Sequence, residues 1–549
     1  MHTTRRAIRR FARSMNHRDD FNVSFTKRGA FGFDSRPLTL NENNAATAPP
    51  SWNITGRDSV RNLARNFGTS ARKDPPEPRG LPLFGTMLSL ISAGGAEKLH
   101  EYVDKRHREL GPVFRERIGP VRAVFVSSPD EYRKILIDLA GPTPQHFLPE
   151  AWRLYNEIRE QYRGLLFIET IRLIVKQFDN ERTLGFWDRD GQEWWQHRQI
   201  LNQVMLKPQP KTFLVPCQEA AENLARKWKT FSQTGCTIPD LEHQLYQWSI
   251  EVMLASLIGS RWRDCGSGIR SEIEYVALML HRVFIYSATL SMMPPKLAMK
   301  LKLPVWTKFV ETVDTVLDKV QNLVPHLIQL DGDGVLKMIM NNGVDNDKVD
   351  RIITDFIIAA GDTTSVTLQW ALILLSGRPE LQDRLFHDIK DLSPEELAKH
   401  MLLRSTWKET LRLHPVAPFL TRYLPVDATI GGYFVPKGEL ILISLYSSGR
   451  DEKYFSRPND FWPERWLRVT EDSRDCQGVK DARASVPFAA GLRNCIGRRL
   501  AETQLSLTLA QLIKHFKIEC ENRDSIKMIL HLISVPSEPI KLKLTDRKI

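Results

Sequence analysis

The chain has 549 residues, of which 42% are hydrophobic and 26% are charged, and its net charge is +12 at pH 7. The hydrophobic fraction is sufficient for a sizeable core, so the composition predicts a globular body. Residues 1–70 contain 12 Lys and Arg against 5 Asp and Glu, so they hold +7 of the charge and the remaining 479 residues hold only +5. Because the body is mildly basic, the charge argues against a nucleic-acid-binding protein, and no nucleic-acid partner is expected.

The N-terminal segment is rich in arginine and poor in acid. Residues 1–18 contain six arginines and no Asp or Glu, and five of them have near-helical spacing: Arg5, Arg6, Arg9, Arg10 and Arg13. Such segments are typical of mitochondrial transit peptides, and a solvated basic tail is the alternative. We predict a transit or unstructured segment over residues 1–70 and one folded domain over residues 71–549. The apolar runs are shorter than the ~18–20 residues that span a bilayer, so no transmembrane anchor is predicted.

The folded part begins with a stiff connector and continues mainly as helix. Four prolines in Lys73–Gly85 favour an extended chain. Val113–Val126 has the pattern of two strands joined by a turn. From Ser128 to Arg412 the apolar residues recur at helical spacing, and Asp350–Leu375 is the longest predicted helix. Ala428–Tyr446 is β-branched and punctuated by glycine, so the sequence predicts a mainly α domain with small β-sheets.

One of the six cysteines has unusual neighbours. Cys495 lies in the segment PFAAGLRNCIGRRLAE between Gly491 and Gly497, and Arg493 is two residues before it. A nucleophilic thiolate needs a base, and no histidine is close in sequence. Glycines let the backbone approach a flat ligand, and an arginine can hold a carboxylate. A flat ligand with a metal and carboxylates is haem, for which thiolate is a recognised axial ligand. An inert cysteine is the alternative.

The full pattern F-x-x-G-x-R-x-C-x-G is met by Phe488, Gly491, Arg493, Cys495 and Gly497. This segment resembles that of the cytochrome P-450 family, the haem-thiolate monooxygenases. The resemblance implies a cytochrome P-450-like fold in a single large haem domain. It also implies that Cys495 binds the iron of haem b and that Phe488 and Arg493 belong to the cofactor site. Ala489 departs from the glycine that the family usually has after the phenylalanine.

Two further segments resemble the family's E-x-x-R motif and its partner. KETLRLHP places Glu409 and Arg412 on one helix face, and FWPERW supplies Arg465. In the family these three side chains form a buried network that holds the haem-binding core, so we expect the loss of one member to be severe. The alternative is a surface salt bridge, which is usually worth less than ~1 kcal/mol.

Other arginines are candidates for the haem propionates. Trp194 and Arg198 in WWQHR resemble the family's W-x-x-x-R pair, whose members reach a propionate. Arg422 in LTRYL is a weaker candidate of the same kind, and an ordinary surface arginine is the alternative.

The longest predicted helix contains AAGDTT, which resembles the family's acid–alcohol motif. The resemblance implies that Asp362 and Thr363 supply the protons needed to activate dioxygen. The alternatives are a polar pair of the kind that caps helices and, for the helix itself, a membrane span, which Asp355 and Asp362 argue against. Ala360 stands where the family usually has glycine, and Gly361 follows one place later, so a narrower or shifted groove is expected.

Electrons have to come from another protein, because no part of the chain resembles a flavin module. In the mitochondrial group of the family, the donor is an adrenodoxin-type 2Fe-2S ferredoxin that receives electrons from NADPH through a reductase. The group's basic docking positions are matched by Arg404, Lys408, Arg498 and Arg499. Complementary charge would steer an acidic ferredoxin to this side. Solvated basic residues are the alternative.

Several segments also resemble the arthropod ecdysteroid 2-hydroxylases. The resemblance implies hydroxylation of a steroid-like substrate with dioxygen in moulting-hormone biosynthesis. It implies a location on the matrix side of the mitochondrial inner membrane, with peripheral contact to the membrane. A mitochondrial enzyme acting on xenobiotics or another sterol, a haem-thiolate isomerase, and a non-catalytic haem sensor or carrier are the alternatives.

Overall fold

The structure is a computed structural model, and it divides into the units Met1–Ser70 and Ala71–Ile549. The residues that it describes all belong to the second unit and are 73–82, 84–142, 144–159, 194–206, 210–291, 293–344, 346–468 and 478–547. The predicted transit segment lies outside these residues, so it stays a prediction.

Helices make up most of the described chain. The first eight α-helices are α1 (Met87–Ser92), α2 (Leu99–Leu110), α3 (Pro129–Arg133), α4 (Glu150–Arg159), α5 (Pro210–Thr234), α6 (Leu241–Ile258), α7 (Ser267–Ser291) and α8 (Pro295–Lys300). The others are α9 (Pro304–Gln329), α10 (Val335–Asn341), α11 (Asn346–Ser376), α12 (Pro379–Ile389), α13 (Pro394–Lys399), α14 (Met401–Leu413), α15 (Leu445–Gly449) and α16 (Arg498–His515). Residues 194–201 are also helical.

Local sequence accounts for many helix boundaries. Helices α3, α8, α9, α12 and α13 each have proline in the first turn, where the missing N–H costs no intrahelical bond. Helix α13 also has a capping box, because the Ser393 side chain accepts from the Glu396 N–H and the Glu396 side chain accepts from the Ser393 N–H. The short helices therefore begin where the sequence supplies their end groups.

In the part of the chain that the structure describes, the β-strands form four small sheets. They are β1 (Val113–Ile118), β2 (Val121–Val126), β3 (Phe419–Tyr423), β4 (Ala428–Ile430), β5 (Tyr433–Val435), β6 (Leu440–Ser444), β7 (Phe516–Cys520), β8 (Met528–His531), β9 (Ile533–Pro536) and β10 (Leu542–Asp546). The largest sheet has the order β1-β2-β6-β3, and β2 pairs with β6 in parallel, Val126 opposite Ile443. The predicted strand–turn–strand over Val113–Val126 is confirmed, since β1 and β2 are antiparallel with Val113 opposite Val126.

Helix α11 runs through the largest hydrophobic core and confirms the predicted long helix. Its apolar residues, including Ile353, Leu368 and Leu372, are fully buried. Within the described residues, two helical segments are long and apolar enough to cross a membrane, Gly268–Ser291 and Ile352–Ser376. In the second, 78% of the apolar window is buried inside the protein, as in the core helix of a large globular protein.

Candidate functional site

The segment around Cys495 is a tight loop that ends at helix α16. The Cys495 N–H donates to the Phe488 carbonyl oxygen at 2.9 Å, and the Asn494 N–H donates to the Gly491 carbonyl oxygen at 3.1 Å. Gly491 has a φ of +77°, and a Cβ atom there would lie 2.2 Å from the Leu136 carbonyl oxygen. Only glycine fits such a position. The loop therefore holds Cys495 in a fixed place just before α16.

The backbone at Ala489 is strained. Its φ is +55°, in the left-handed region that favours glycine. The Ala489 N–H donates to the Val486 carbonyl oxygen at 2.8 Å, so the turn is held in this conformation. The departure of Ala489 from the family pattern therefore has a physical consequence, because the Cβ atom of alanine stands at a turn position that favours glycine.

The Cys495 side chain has accessible surface, and desolvation by the surrounding protein raises the pKa of its thiol. The Gly497 N–H opposes this pKa shift, and so do the positive charges of Arg198 and Arg498. An amide donor and two cations around one sulfur suit a metal-bound thiolate.

Three arginines from separate parts of the chain meet beside the cysteine loop. The Arg493 guanidinium carbon lies 4.6 Å from the ring centre of Trp194, which is fully buried. The Arg198 Nη2 atom donates to the Asn494 carbonyl oxygen at 2.7 Å and also to its side-chain oxygen. Burial, together with the charge of Arg493, lowers the pKa of Arg198 and of Arg422 to about 10. The cluster thus concentrates positive charge.

Two of these arginines have donors without partners. Arg198 and Arg422 are each 6% exposed. The Nε atoms of both and Nη2 of Arg422 have no hydrogen-bond partner, and neither residue has a carboxylate partner among the described residues. Because an unpaired buried charge is strongly unfavourable, the cluster is suited to an anion from outside the chain. The two propionate carboxylates of haem fit these donors, since arginine–carboxylate hydrogen bonds are strong.

His146 belongs to the same cluster, and sequence reasoning missed it. Its neighbours align with strand β3, because the Tyr423 N–H donates to the Gln145 carbonyl oxygen at 3.0 Å. Burial, together with the charges of Arg493 and Arg422, lowers the pKa of His146 to about 3. His146 is therefore a neutral imidazole beside the arginines. No sequence signal could have found it, since the two segments are remote along the chain.

Glu409, Arg412 and Arg465 are fully buried and in direct contact. Arg412 donates from Nη2 and Nε to the two carboxylate oxygens of Glu409 at 2.7 and 2.9 Å. Arg465 donates from Nε to Glu409 Oε1 at 2.8 Å. The pattern of a buried bidentate pair with a third member differs from the surface salt bridge of the alternative interpretation.

Backbone and indole groups complete this network. The Trp462 N–H and Trp466 Nε1 donate to Glu409 at 3.1 and 2.8 Å. Arg412 Nη1 donates to the carbonyl oxygens of Gly449 and Pro458 at 2.6 and 2.5 Å. Carbonyl dipoles therefore offset the extra positive charge, and one carboxylate ties helix α14 to the segment that precedes the cysteine loop.

Asp362 and Thr363 lie at the middle of helix α11. Asp362 is buried, and burial raises the pKa of its carboxyl group. Thr363 is exposed within this otherwise buried helix, and its Oγ1 atom donates to the Ala359 carbonyl oxygen at 2.8 Å. A Cβ atom at Gly361 would lie 2.5 Å from the Tyr246 hydroxyl oxygen. The shifted glycine of AAGDTT therefore accommodates Tyr246 of α6.

The four predicted docking residues lie on two packed helices. Arg498 and Arg499 at the start of α16 are 47% and 57% exposed, and both pair with Glu502, at 2.8 and 3.7 Å. Arg404 and Lys408 on α14 are partly exposed. The two helices are joined by a hydrogen bond from Trp407 Nε1 to Ser506 Oγ at 3.1 Å, and the Trp407 ring also contacts Phe488.

The comparisons with known proteins agree with this geometry. The pattern of the family described as cytochrome P-450 matches residues 75–170 and 169–544. The chain belongs to the cytochrome P-450 family, so the predicted fold is confirmed and the protein is a monooxygenase. Membership of this family implies a haem cofactor, which the thiol and the arginine donors fit.

Several curated relatives are similar over most of their length. The chain is 37% identical to "Cytochrome P-450 315a1, mitochondrial" of Drosophila melanogaster over 494 residues, which is 86% of this chain and 88% of the relative. It is 27% identical to the mitochondrial cholesterol side-chain cleavage enzyme of Oncorhynchus mykiss, with 84% and 88% covered. It is also 27% identical to the mitochondrial 1,25-dihydroxyvitamin D(3) 24-hydroxylase of Rattus norvegicus, with 86% and 89% covered.

Proposed function

We propose that the protein is a mitochondrial steroid hydroxylase that carries out ecdysteroid 2-hydroxylation. The observation that carries the proposal is the 37% identity to the Drosophila 315a1 protein, which is Shadow, the ecdysteroid 2-hydroxylase that the sequence segments resemble. The similarity to two mitochondrial enzymes named for cholesterol and vitamin D supports a steroid-like substrate. The arginine-rich N-terminus supports a mitochondrial location.

In this proposal, haem b is held from two sides. Cys495 is the thiolate ligand of the iron, and Phe488 packs at the start of the loop that carries it. Trp194 positions Arg493 by ring contact. The propionates would be bound by Arg493, Arg198 and Arg422, and the unpartnered donors of Arg198 and Arg422 support this role. Haem bound through thiolate activates dioxygen for insertion of one oxygen atom into a C–H bond.

In the proposal, two residues of helix α11 supply the protons that this reaction needs. The Asp362 carboxyl group is buried, burial raises its pKa, and its Oδ2 atom has no hydrogen-bond partner. Thr363 keeps lone pairs of Oγ1 available, because its O–H is directed at the Ala359 carbonyl oxygen. Replacing Thr363 by Ala should raise peroxide release relative to product, and unchanged coupling of oxygen use to product would contradict the role.

The electron donor is proposed to be an adrenodoxin-type 2Fe-2S ferredoxin that is reduced by NADPH through a reductase. Arg404, Lys408, Arg498 and Arg499 form the basic docking face, whose charge suits an acidic partner. Arg499→Glu should weaken ferredoxin binding and make the binding less dependent on salt concentration. The substitution should not disturb the helix, because an acidic side chain in the first turn of α16 interacts favourably with the helix dipole. Lys105→Glu, at a 76% exposed position on α2, is the matched control.

Peripheral contact with the matrix side of the inner membrane is part of the proposal. Large apolar side chains are at least half exposed in two parts of the chain, around α1 and around α8: Leu81, Phe84, Leu88, Ile91, Leu297 and Leu301. Strand β8 packs against both α7 and the turn that follows α1, which supports a shared surface. Exposed apolar patches of this kind mark contacts with membranes or other proteins.

Reconstituted turnover tests the function. The haem-loaded protein, adrenodoxin, its reductase and NADPH should convert a 2-deoxyecdysteroid to its 2-hydroxylated product. Formation of product without ferredoxin would favour a haem-thiolate isomerase. Oxidation of xenobiotics but not of the ecdysteroid would favour a mitochondrial enzyme that acts on xenobiotics. A lack of any turnover despite haem binding would favour a sensor or carrier. Cys495→Ser should abolish the thiolate signature of the reduced carbon monoxide spectrum.

A further inference from the structure

Asp362 is the inner end of a short series of titratable side chains from three helices. Its Oδ1 atom lies 3.9 Å from Nδ1 of His281 on α7. The same Nδ1 atom lies 3.9 Å from Oε1 of Glu242 on α6. One ring nitrogen of His281 therefore stands between a buried carboxyl group and a second carboxyl group.

The exposure of these side chains falls steadily toward the core. The side chain of Glu242 is 52% exposed, that of His281 35% and that of Asp362 8%. The series thus leads from solvent to the middle of α11. Glu242 at its outer end is one residue from the start of α6, where solvent has ready access.

Tyr246 lies one turn after Glu242 and closes the α6 side of the series. It is 2% exposed, its ring centre lies 6.3 Å from that of His281, and its hydroxyl group has no hydrogen-bond partner. Its ring also fills the space beside Gly361. Tyr246 and His281 are therefore both close to the Asp362 carboxyl group, and the charge of Asp362 acts on each of them.

The carboxyl groups around His281 favour the protonated form of its imidazole ring. Asp362 and Glu242 raise the pKa of His281, although burial opposes the shift. In return, His281 opposes the rise that burial imposes on the pKa of Asp362. Among the described residues, the charged groups that act on His281 are these two carboxyl groups, and none from α9, which packs along α7, shifts its pKa.

We propose that His281 carries protons from solvent and Glu242 to Asp362 and so keeps the acid of helix α11 supplied. In each transfer the Nδ1–H bond of the imidazolium breaks and an O–H bond forms on the Asp362 carboxylate. The neutral imidazole then regains a proton at Nδ1 from the Glu242 carboxyl group, and the resulting carboxylate is reprotonated by hydronium or a buffer acid in the solvent. No oxidant or reductant is needed.

The two separations of 3.9 Å exceed the length of a hydrogen bond. A bridging water or a small rotation of the side chains is therefore part of each transfer. The inference rests on the proposed function, since it deepens the role given there to Asp362.

The first test compares His281→Gln and Glu242→Gln with wild type in the haem-loaded protein with ferredoxin, reductase, NADPH and a 2-deoxyecdysteroid. Product formed per NADPH should fall on the order of tenfold in His281→Gln and less in Glu242→Gln, and the solvent hydrogen isotope effect should rise. Asp362→Asn is the reference for loss of the acid. His326→Gln, at an exposed position on α9, is the matched control and should behave as wild type.

The second test needs no turnover. The free energy of unfolding of wild type and His281→Gln is measured from pH 5 to 9. Because the pKa of His281 is raised in the folded protein, its stabilising contribution should be largest below about pH 6.5 and should disappear as the pH rises through the folded value. In an Asp362→Asn background this pH dependence should shrink.

The outcomes separate the inference from the proposed function. If Asp362→Asn lowers coupling and His281→Gln does not, the relay through His281 is wrong. If the unfolding measurements show an interaction between His281 and Asp362 but turnover is unchanged in His281→Gln, then His281 only fixes α7 to α11. That result also overturns the inference. If wild type forms no steroid product, the proposed function fails, and the unfolding measurements alone then decide whether the two groups share a proton.

Discussion

Arg465 Nε donates to Glu409 Oε1 at 2.8 Å although 56 residues separate the two positions. Both side chains are fully buried, so neither has water as a substitute partner. The relationship fixes helix α14 against the segment that leads into the cysteine loop.

Breaking this buried pair should be severe. Arg465→Gln leaves part of the Glu409 charge uncompensated, and we expect a loss of about 3–5 kcal/mol in the free energy of unfolding. Chemical denaturation of the purified protein measures it. Arg122→Gln removes the exposed pair with Glu77 (3.0 Å) and should cost less than ~1 kcal/mol. Equal effects of the two substitutions would contradict the role of burial.

Relieving the strain at Ala489 should stabilise the protein. Ala489→Gly removes the Cβ atom from a left-handed backbone, and the gain, less the added entropy of the unfolded chain, should be about 0.5–1 kcal/mol. Thermal unfolding measures the change. Ala501→Gly within α16 should instead destabilise by about 1 kcal/mol, because its backbone is helical. A loss of stability in Ala489→Gly would show that the methyl group makes contacts worth more than the strain.

Acid should weaken the fold partly through His100. This side chain is fully buried, and burial lowers its pKa to about 4 against the opposing effect of Glu101. Below pH 6.5 the unfolded chain binds the proton first, so stability should fall by about 1.4 kcal/mol per pH unit and level off near pH 4.

His100→Phe tests this, because it keeps an aromatic ring against Tyr446 and removes the titrating group. Below pH 6.5 the free energy of unfolding should depend less steeply on pH, by the contribution of one titrating group. His326→Gln, at an exposed position, should leave the curve as in wild type. An unchanged slope in His100→Phe would place the acid sensitivity elsewhere.

Arg422→Met should have opposite effects with and without haem. In the haem-free protein it removes a buried charge without a carboxylate partner, so the free energy of unfolding should rise by about 1 kcal/mol. In the haem-loaded protein the proposed propionate partner is lost, and transfer of haem to an acceptor protein should quicken on the order of tenfold. Arg422→Lys keeps the charge and should lie between. Changes of the same sign in both forms would contradict the propionate role.

The sequence predicted those structural features that depend on residues close together along the chain. The long helix α11, the β1–β2 hairpin and the cysteine loop each follow from periodicity, turn residues or a spaced motif. The placement of His146 beside Arg422 and of His281 beside Asp362 depends on the packing of remote segments, which no local pattern encodes. The Gly361 position in AAGDTT was visible, but its reason, the ring of Tyr246, required the structure.

The parallel pairing of β2 with β6 sets an order on how the chain can fold. Val126 lies opposite Ile443, so the free edge of the β1–β2 hairpin has no partner until more than 300 further residues have been made. At roughly 5–20 residues per second, this interval is about 15–60 s. An unpaired strand edge invites association with other chains. In a chain that emerges N-terminus first, this edge therefore stays open to such association until β6, the last strand of the sheet, pairs with it.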